Sequence, residues 1–146
     1  MFTLEQLTMI TSLTDRTLRN YIRDGYLQGE KTSGKWFFTA EQVESFMKHP
    51  MIVPALKSKK MSIITDFLGS EPDNTDRACV ILDVCDQKHD YTKAFLQAIP
   101  DIINPEMRFD FASDVIREGV IRVIISGAET DVFRLIDLYR EKKAEN

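Results

Sequence analysis

The sequence predicts an α+β protein, on three observations. Short stretches with helical apolar spacing open the chain and surround a paired run of β-formers near residues 27–38. Beyond residue 77 the pattern alternates strand, helix, strand, strand, helix, without an internal repeat. The charge also changes sign along the chain. Residues 1–60 hold nine Lys/Arg against six Asp/Glu, whereas residues 61–146 hold ten against seventeen, within a net charge of −4 over 146 residues. A basic head on an acidic body fits a chain in which only the head approaches a polyanion. Hydrophobic residues at 43% and charged residues at 29% are the balance of a globular protein. No apolar run approaches the roughly 20 residues that cross a bilayer, and Met1-Phe2-Thr3-Leu4-Glu5 lacks the character of a signal peptide. A cytoplasmic location and no membrane partner are therefore expected.

Thr3-Leu4-Glu5-Gln6 reads as a capping box, followed by Leu4, Leu7 and Ile10 on one side of a two-turn helix. Thr11 to Thr14 interrupt it. Thr14 is suited to cap a second helix over Asp15 to Asp24, with Asp15 at the positive end of its dipole. Gly25 ends that helix, since glycine takes the left-handed conformation at low cost. Two short helices around a four-residue turn make a helix-turn-helix. Leu27–Lys31 and Lys35–Phe38, separated by Thr32-Ser33-Gly34, read as a β-hairpin. Thr39-Ala40-Glu41-Gln42 is a second capping box, opening a helix with Val43, Phe46 and Met47 on one face; Pro50 should stop it by His49.

Residues 49–76 read as a linker holding a helix over 54–68, with Leu56, Ile63, Ile64 and Phe67 as exposed apolar candidates for self-pairing, the edge strand of the second domain being the other candidate. Residues 77–146 read as a small β-α-β-β-α dimerisation or sensing domain. Its elements are strands at Ala78–Val84, Met107–Phe111 and Val120–Ile125, a helix over Tyr91–Ile103, and a final helix. That last helix opens on a capping box at Ser126-Gly127-Ala128-Glu129 and carries Val132, Leu135, Ile136 and Tyr139 as its stripe. Both helices are expected on one face of an antiparallel-leaning sheet.

The pattern with chemical meaning lies on the second helix. At about 100° per residue, Asn20, Arg23 and Arg19 all fall within about 60° of Arg16, while Leu18, Ile22 and Tyr21 fall opposite. An ordinary surface helix mixes its signs; here three cations share one side. Arginine can bind a guanine edge or a phosphate with two parallel bonds, and asparagine can do the same to adenine. Lys31 and Lys35 flank the hairpin tip and suit phosphates. Trp36, Phe37 and Phe38 read as packing residues rather than base-stacking ones.

Cys79 and Cys85, six positions apart, are expected as buried reduced thiols, with a redox pair as the alternative; their spacing does not match zinc ligands. Asp83, Asp86 and Asp90 with His89 read as a solvated strand–helix loop rather than a metal site. No phosphate loop or nucleophile signature is present, so neither enzyme activity nor a cofactor or metal is expected.

Three segments carry a resemblance. Phe2–Leu7, Thr14–Leu27 and Gly34–Phe46 together make residues 2–47 similar to the MerR-type and excisionase-type winged helix-turn-helix. The resemblance implies a recognition helix at Asp15–Asp24, a wing at Leu27–Phe38, and Arg16, Thr17, Arg19 and Tyr21 as recognition contacts. It implies double-stranded DNA as partner and a sequence-specific transcriptional regulator as function. The expected DNA-binding residues are thus Arg16, Thr17, Arg19, Asn20, Tyr21, Arg23, Lys31 and Lys35, on a homodimer whose second domain pairs or senses a small-molecule effector. The chain departs from MerR regulators in having Asn20-Tyr21 where two aromatics are common, and in placing Pro50 and Pro54 where a long coiled helix would start. Two other functions use the same features: an excisionase-like recombination factor that bends DNA, and a protein-interaction adaptor that keeps the winged fold.

Overall fold

The computed structural model describes residues 1–85, 98, 99, 102 and 106–145. The chain is α+β, with two three-stranded antiparallel sheets among the described residues. Its elements run β1 (Phe2–Thr3), α1 (Leu4–Thr11), α2 (Asp15–Arg23), β2 (Glu30–Thr32), β3 (Lys35–Phe38), α3 (Ala40–Lys48), α4 (Val53–Gly69), β4 (Arg77–Cys85), β5 (Phe109–Arg117), β6 (Val120–Ala128) and α5 (Glu129–Glu145).

The first three helices start where local chemistry dictates. The Thr3 hydroxyl accepts from the Gln6 amide at 3.2 Å, and the Gln6 side chain accepts from the Thr3 amide at 2.9 Å. Thr39 and Gln42 repeat the exchange at 3.1 and 2.9 Å. Each pair satisfies donors that a helix start otherwise leaves open. α2 ends in a Schellman motif: the Tyr26 amide donates to the Tyr21 carbonyl at 2.9 Å and the Gly25 amide to that of Ile22 at 3.2 Å, with Gly25 at φ +84°. α3 ends at Lys48, as Pro50 requires.

The small sheet has the order β1-β3-β2, with Phe2 opposite Phe38 and Lys31 opposite Trp36. Ser33 and Gly34, both at positive φ, form the two-residue turn that matches hairpin twist. β2 begins at Glu30 rather than Leu27, because Leu27 is drawn into the core at 1% exposure. Gly29 makes this possible. A Cβ there would stand 2.4 Å from the Phe38 ring and 2.9 Å from the Phe37 carbonyl. Gly29→Ala is expected to cost about 1–3 kcal/mol through this overpacking, read as a lowered urea midpoint at unchanged slope.

The second sheet has the order β4-β6-β5. The pairing sets Ile81, Ile124 and Ala112 in one row, and Asp83, Arg122 and Asp114 in the next, all on one face. Phe111, Ile125 and Val80 belong to the opposite face, where α5 buries Val132, Leu135 and Ile136. Ile99 and Ile102 line the same apolar pocket as Leu135 and Ile136, so they share that face. The rest of the expected helix over Tyr91–Ile103 lies outside the described residues.

Several expectations are corrected. α4 spans Val53–Gly69 and packs on β5 and β6, so Leu56, expected as a pairing surface, is fully buried in its own chain. β5 starts at Phe109 and continues to Arg117, because Ser113 and Asp114 find partners inside. Ser126 opens no helix: β6 runs through Ala128, and α5 starts at Glu129, whose amide donates to the Asp76 carbonyl at 3.0 Å. Cys85 is exposed and Cys79 half-exposed, so neither is a buried thiol; Cys79 is pushed above the usual thiol value by partial burial. Asp83 sits within β4 rather than in a loop, and Asp86, His89 and Asp90 lie outside the described residues.

One hydrophobic cluster runs from Phe2 through Leu7, Ile10 and Leu56 to Phe111, Ile121 and Leu135. α1 lies along the outer edge of β5. The Ser12 hydroxyl donates to the Phe111 carbonyl, and the Ser113 hydroxyl donates to the Ile10 carbonyl at 3.1 Å. On the adjoining face the Lys60 ammonium meets the Asp114 carboxylate, with side chains 9% and 0% exposed. Among the described residues the Asp114 oxygens accept no well-directed hydrogen bond, so the ion pair is their compensation. Across the sheet Arg122 binds Asp83 with two bonds of 2.7 and 3.0 Å. Those bonds hold the Asp83 carboxyl below the ordinary carboxylate range. Their stabilisation is present above that range and is lost as the pH falls through the lowered value.

Candidate nucleic-acid interface

α2 is fixed by two anchors. Its start is held by Thr14, whose hydroxyl accepts from the Thr17 amide at 3.1 Å. Its inner side is held by Leu18 at 0% exposure. With the helix so seated, the 3.6-residue period leaves Arg16, Arg19, Asn20 and Arg23 exposed together. The expected convergence of these four residues is the arrangement in the structure.

Among the described residues, Arg19 and Arg23 are paired only with neighbours on or beside their own helix. Arg19 Nε lies 2.6 Å from Asp15 one turn earlier, and Arg23 Nε lies 3.2 Å from Asp24. All four side chains are about half exposed or more, so these pairs contribute no more than about 1 kcal/mol each and open readily to a stronger anion. Among the described residues Arg16 forms no ion pair, and none of the three arginines is bound to the acidic second half of the chain.

Thr17 is half-buried, and its hydroxyl lies 2.9 Å from that of Thr14 at the first turn of α2. Tyr21 is not brought to this face. Its ring sits half-buried against Tyr26 at 6.1 Å and Phe46 at 5.7 Å, so it packs α2 onto α3. Opposite wheel position, rather than family position, is what decides its place. At the hairpin, Lys31 and Lys35 are both exposed. The Lys31 ammonium stands 5.9 Å from the Trp36 ring centroid, a cation–π contact that orients it across the hairpin. Trp36 stacks on Phe38 at 6.4 Å and Phe38 is fully buried, as packing residues should be.

Sequence reasoning missed the polar groove beside α2. Tyr26, Gln28, Gln42, Ser45 and His49 line it, with the Tyr26 and His49 rings in edge contact at 5.0 Å. Its residues come from a loop and from α3, so no local spacing signals it. No group of three or more His, Cys, Asp or Glu side chains among the described residues is placed to hold a metal ion. No helix among them is long and apolar enough to cross a membrane.

Comparison with protein-family models, curated proteins and solved structures finds no match to this chain.

Proposed function

We propose that residues 1–48 are a winged helix-turn-helix of MerR-like type and that the chain is a sequence-specific transcriptional regulator. It reads double-stranded DNA as a cytoplasmic homodimer. In this reading α2 is the recognition helix, lying in the major groove, and the β2–β3 hairpin is the wing. The observation that carries it is the single-signed outer face of α2: Arg16, Arg19, Asn20 and Arg23 exposed together, anchored from behind by fully buried Leu18. Guanidinium groups and an amide on one short helix are the groups that read guanine and adenine edges. Lys31 and Lys35 supply phosphate contacts from the wing. One short helix offers few specific contacts, and two related by a two-fold axis read two half-sites one helical turn apart.

The test is fluorescence anisotropy of a labelled random duplex between about 50 and 200 mM salt. Each phosphate neutralised contributes about −0.9 to the slope of log affinity against log salt, so four to six contacts give a fall of roughly a hundredfold or more. Binding that is absent, or indifferent to salt, overturns the DNA reading in favour of a protein-interaction adaptor.

A further inference from the structure

The two edges of the second sheet are treated differently. β5 is covered by α1, joined to it through Ser12 and Ser113, and its register breaks between Val115 and Arg117. Covering and irregularity are the usual protections of an edge. β4 has neither. Over nine residues, Arg77–Cys85, it pairs in unbroken register with β6 on one side. Among the described residues no backbone hydrogen bond reaches its other side. It contains no proline, lysine or glycine. Its centre, Val80-Ile81-Leu82, is apolar, and Ile81 is 55% exposed. A long, regular, apolar edge of this kind is a template for another strand.

The sequence of β4 points to the occupant. We infer that β4 pairs antiparallel with β4 of a second copy about a two-fold axis at Val80, joining two three-stranded sheets into one of six strands. In that register Val80 faces the partner's Val80, and Ala78 faces the partner's Leu82, on the side where α5 packs. Cys79 faces the partner's Ile81 on the other side. Arg77 faces the partner's Asp83, and the same pair recurs at the opposite end. Every cross-strand pair is then apolar with apolar or positive with negative, the matching that stabilises a ladder. The Arg77 guanidinium lies 5.3 Å from the Phe67 ring centroid and donates through Nη1 to the Ser70 hydroxyl at 3.2 Å. A guanidinium has five N–H groups, so donors remain for a carboxylate. Asp83, bound to Arg122, keeps 44% of its side chain exposed and retains acceptor positions. The choice of a two-fold partner rests on the regulator reading; the choice of β4 rests on the edge itself.

Sedimentation velocity at micromolar concentration should give twice the 16.8 kDa chain mass. Val80→Lys sets two ammonium groups opposite one another and should weaken self-association roughly tenfold or more, with an unchanged circular dichroism spectrum. A second variant avoids reliance on that fold: Val80→Cys in a Cys79→Ser, Cys85→Ser background should form a covalent dimer on mild oxidation, whereas Arg117→Cys in the same background should not. A monomeric wild type, an undiminished Val80→Lys dimer, or a Val80→Cys chain that stays uncoupled overturns the β4 interface. DNA anisotropy on the same samples separates the two readings. A wild-type dimer coupled through Val80→Cys that ignores DNA sustains the interface and overturns the regulator; DNA binding with self-association untouched by Val80→Lys does the reverse.

Discussion

Lys60→Ala is expected to destabilise the fold by about 3–5 kcal/mol, because it leaves the fully buried Asp114 carboxylate without the ammonium it is paired with. For a chain of this size that lowers the thermal midpoint by about 10 °C or more. Asp114→Ala should cost a similar amount for the mirror reason. The double variant Lys60→Met, Asp114→Leu should recover most of the loss, since replacing a buried pair by apolar side chains of like volume is near neutral. Urea denaturation of the parent, Lys60→Met, Asp114→Leu and their double variant closes the cycle. Independent, additive costs would show that the two groups do not compensate each other.

Arg16→Ala is expected to weaken specific DNA binding by about 1–3 kcal/mol, or roughly 5- to 150-fold, if its guanidinium binds a base edge with two bonds. Among the three arginines of α2 it is the one without an ion pair among the described residues, so it reaches DNA without first releasing a carboxylate. Arg19 and Arg23 must leave Asp15 and Asp24, which costs each of them up to about 1 kcal/mol of whatever they gain. Arg16→Ala should therefore be the most damaging of the three single changes. Its side chain is exposed, so stability should stay within about 0.5 kcal/mol of the parent. Unchanged affinity for a selected duplex would remove Arg16 from the interface.

What could be read from the sequence was local. Thr3 with Gln6, Thr14, and Thr39 with Gln42 announce helix starts because the groups that satisfy each other lie three residues apart. The exposed face of α2 was legible for the same reason, since a single helical period places Arg16, Arg19, Asn20 and Arg23 once Leu18 is taken as the anchor. What misled was tertiary. Ser113 and Asp114 look like the end of a strand by polarity, yet β5 continues because Ile10 and Lys60, distant in sequence, satisfy them. Lys60 falls in the stretch read as a linker with a helix and is the buried partner of a carboxylate. Ser126 to Glu129 has the spacing of a capping box, but Ser126, Gly127 and Ala128 extend β6 against β4 and β5, and that pairing prevails. Gly29 carried no signal at all, because its requirement comes from the Phe38 ring across the hairpin. Tyr21 was drawn to the DNA face by family position and away from it by its place on the helix wheel; Tyr26 and Phe46 hold it on the inner side.

The interface itself is tested most directly by titrating the isotope-labelled chain with a selected duplex and following its backbone amide resonances. Perturbations should concentrate on Asp15–Arg23 and on Lys31–Lys35, while α5 and the β4–β6 sheet stay near their free positions. Perturbations confined to the acidic half, with those of α2 unmoved, would contradict the assignment of its cationic side to DNA.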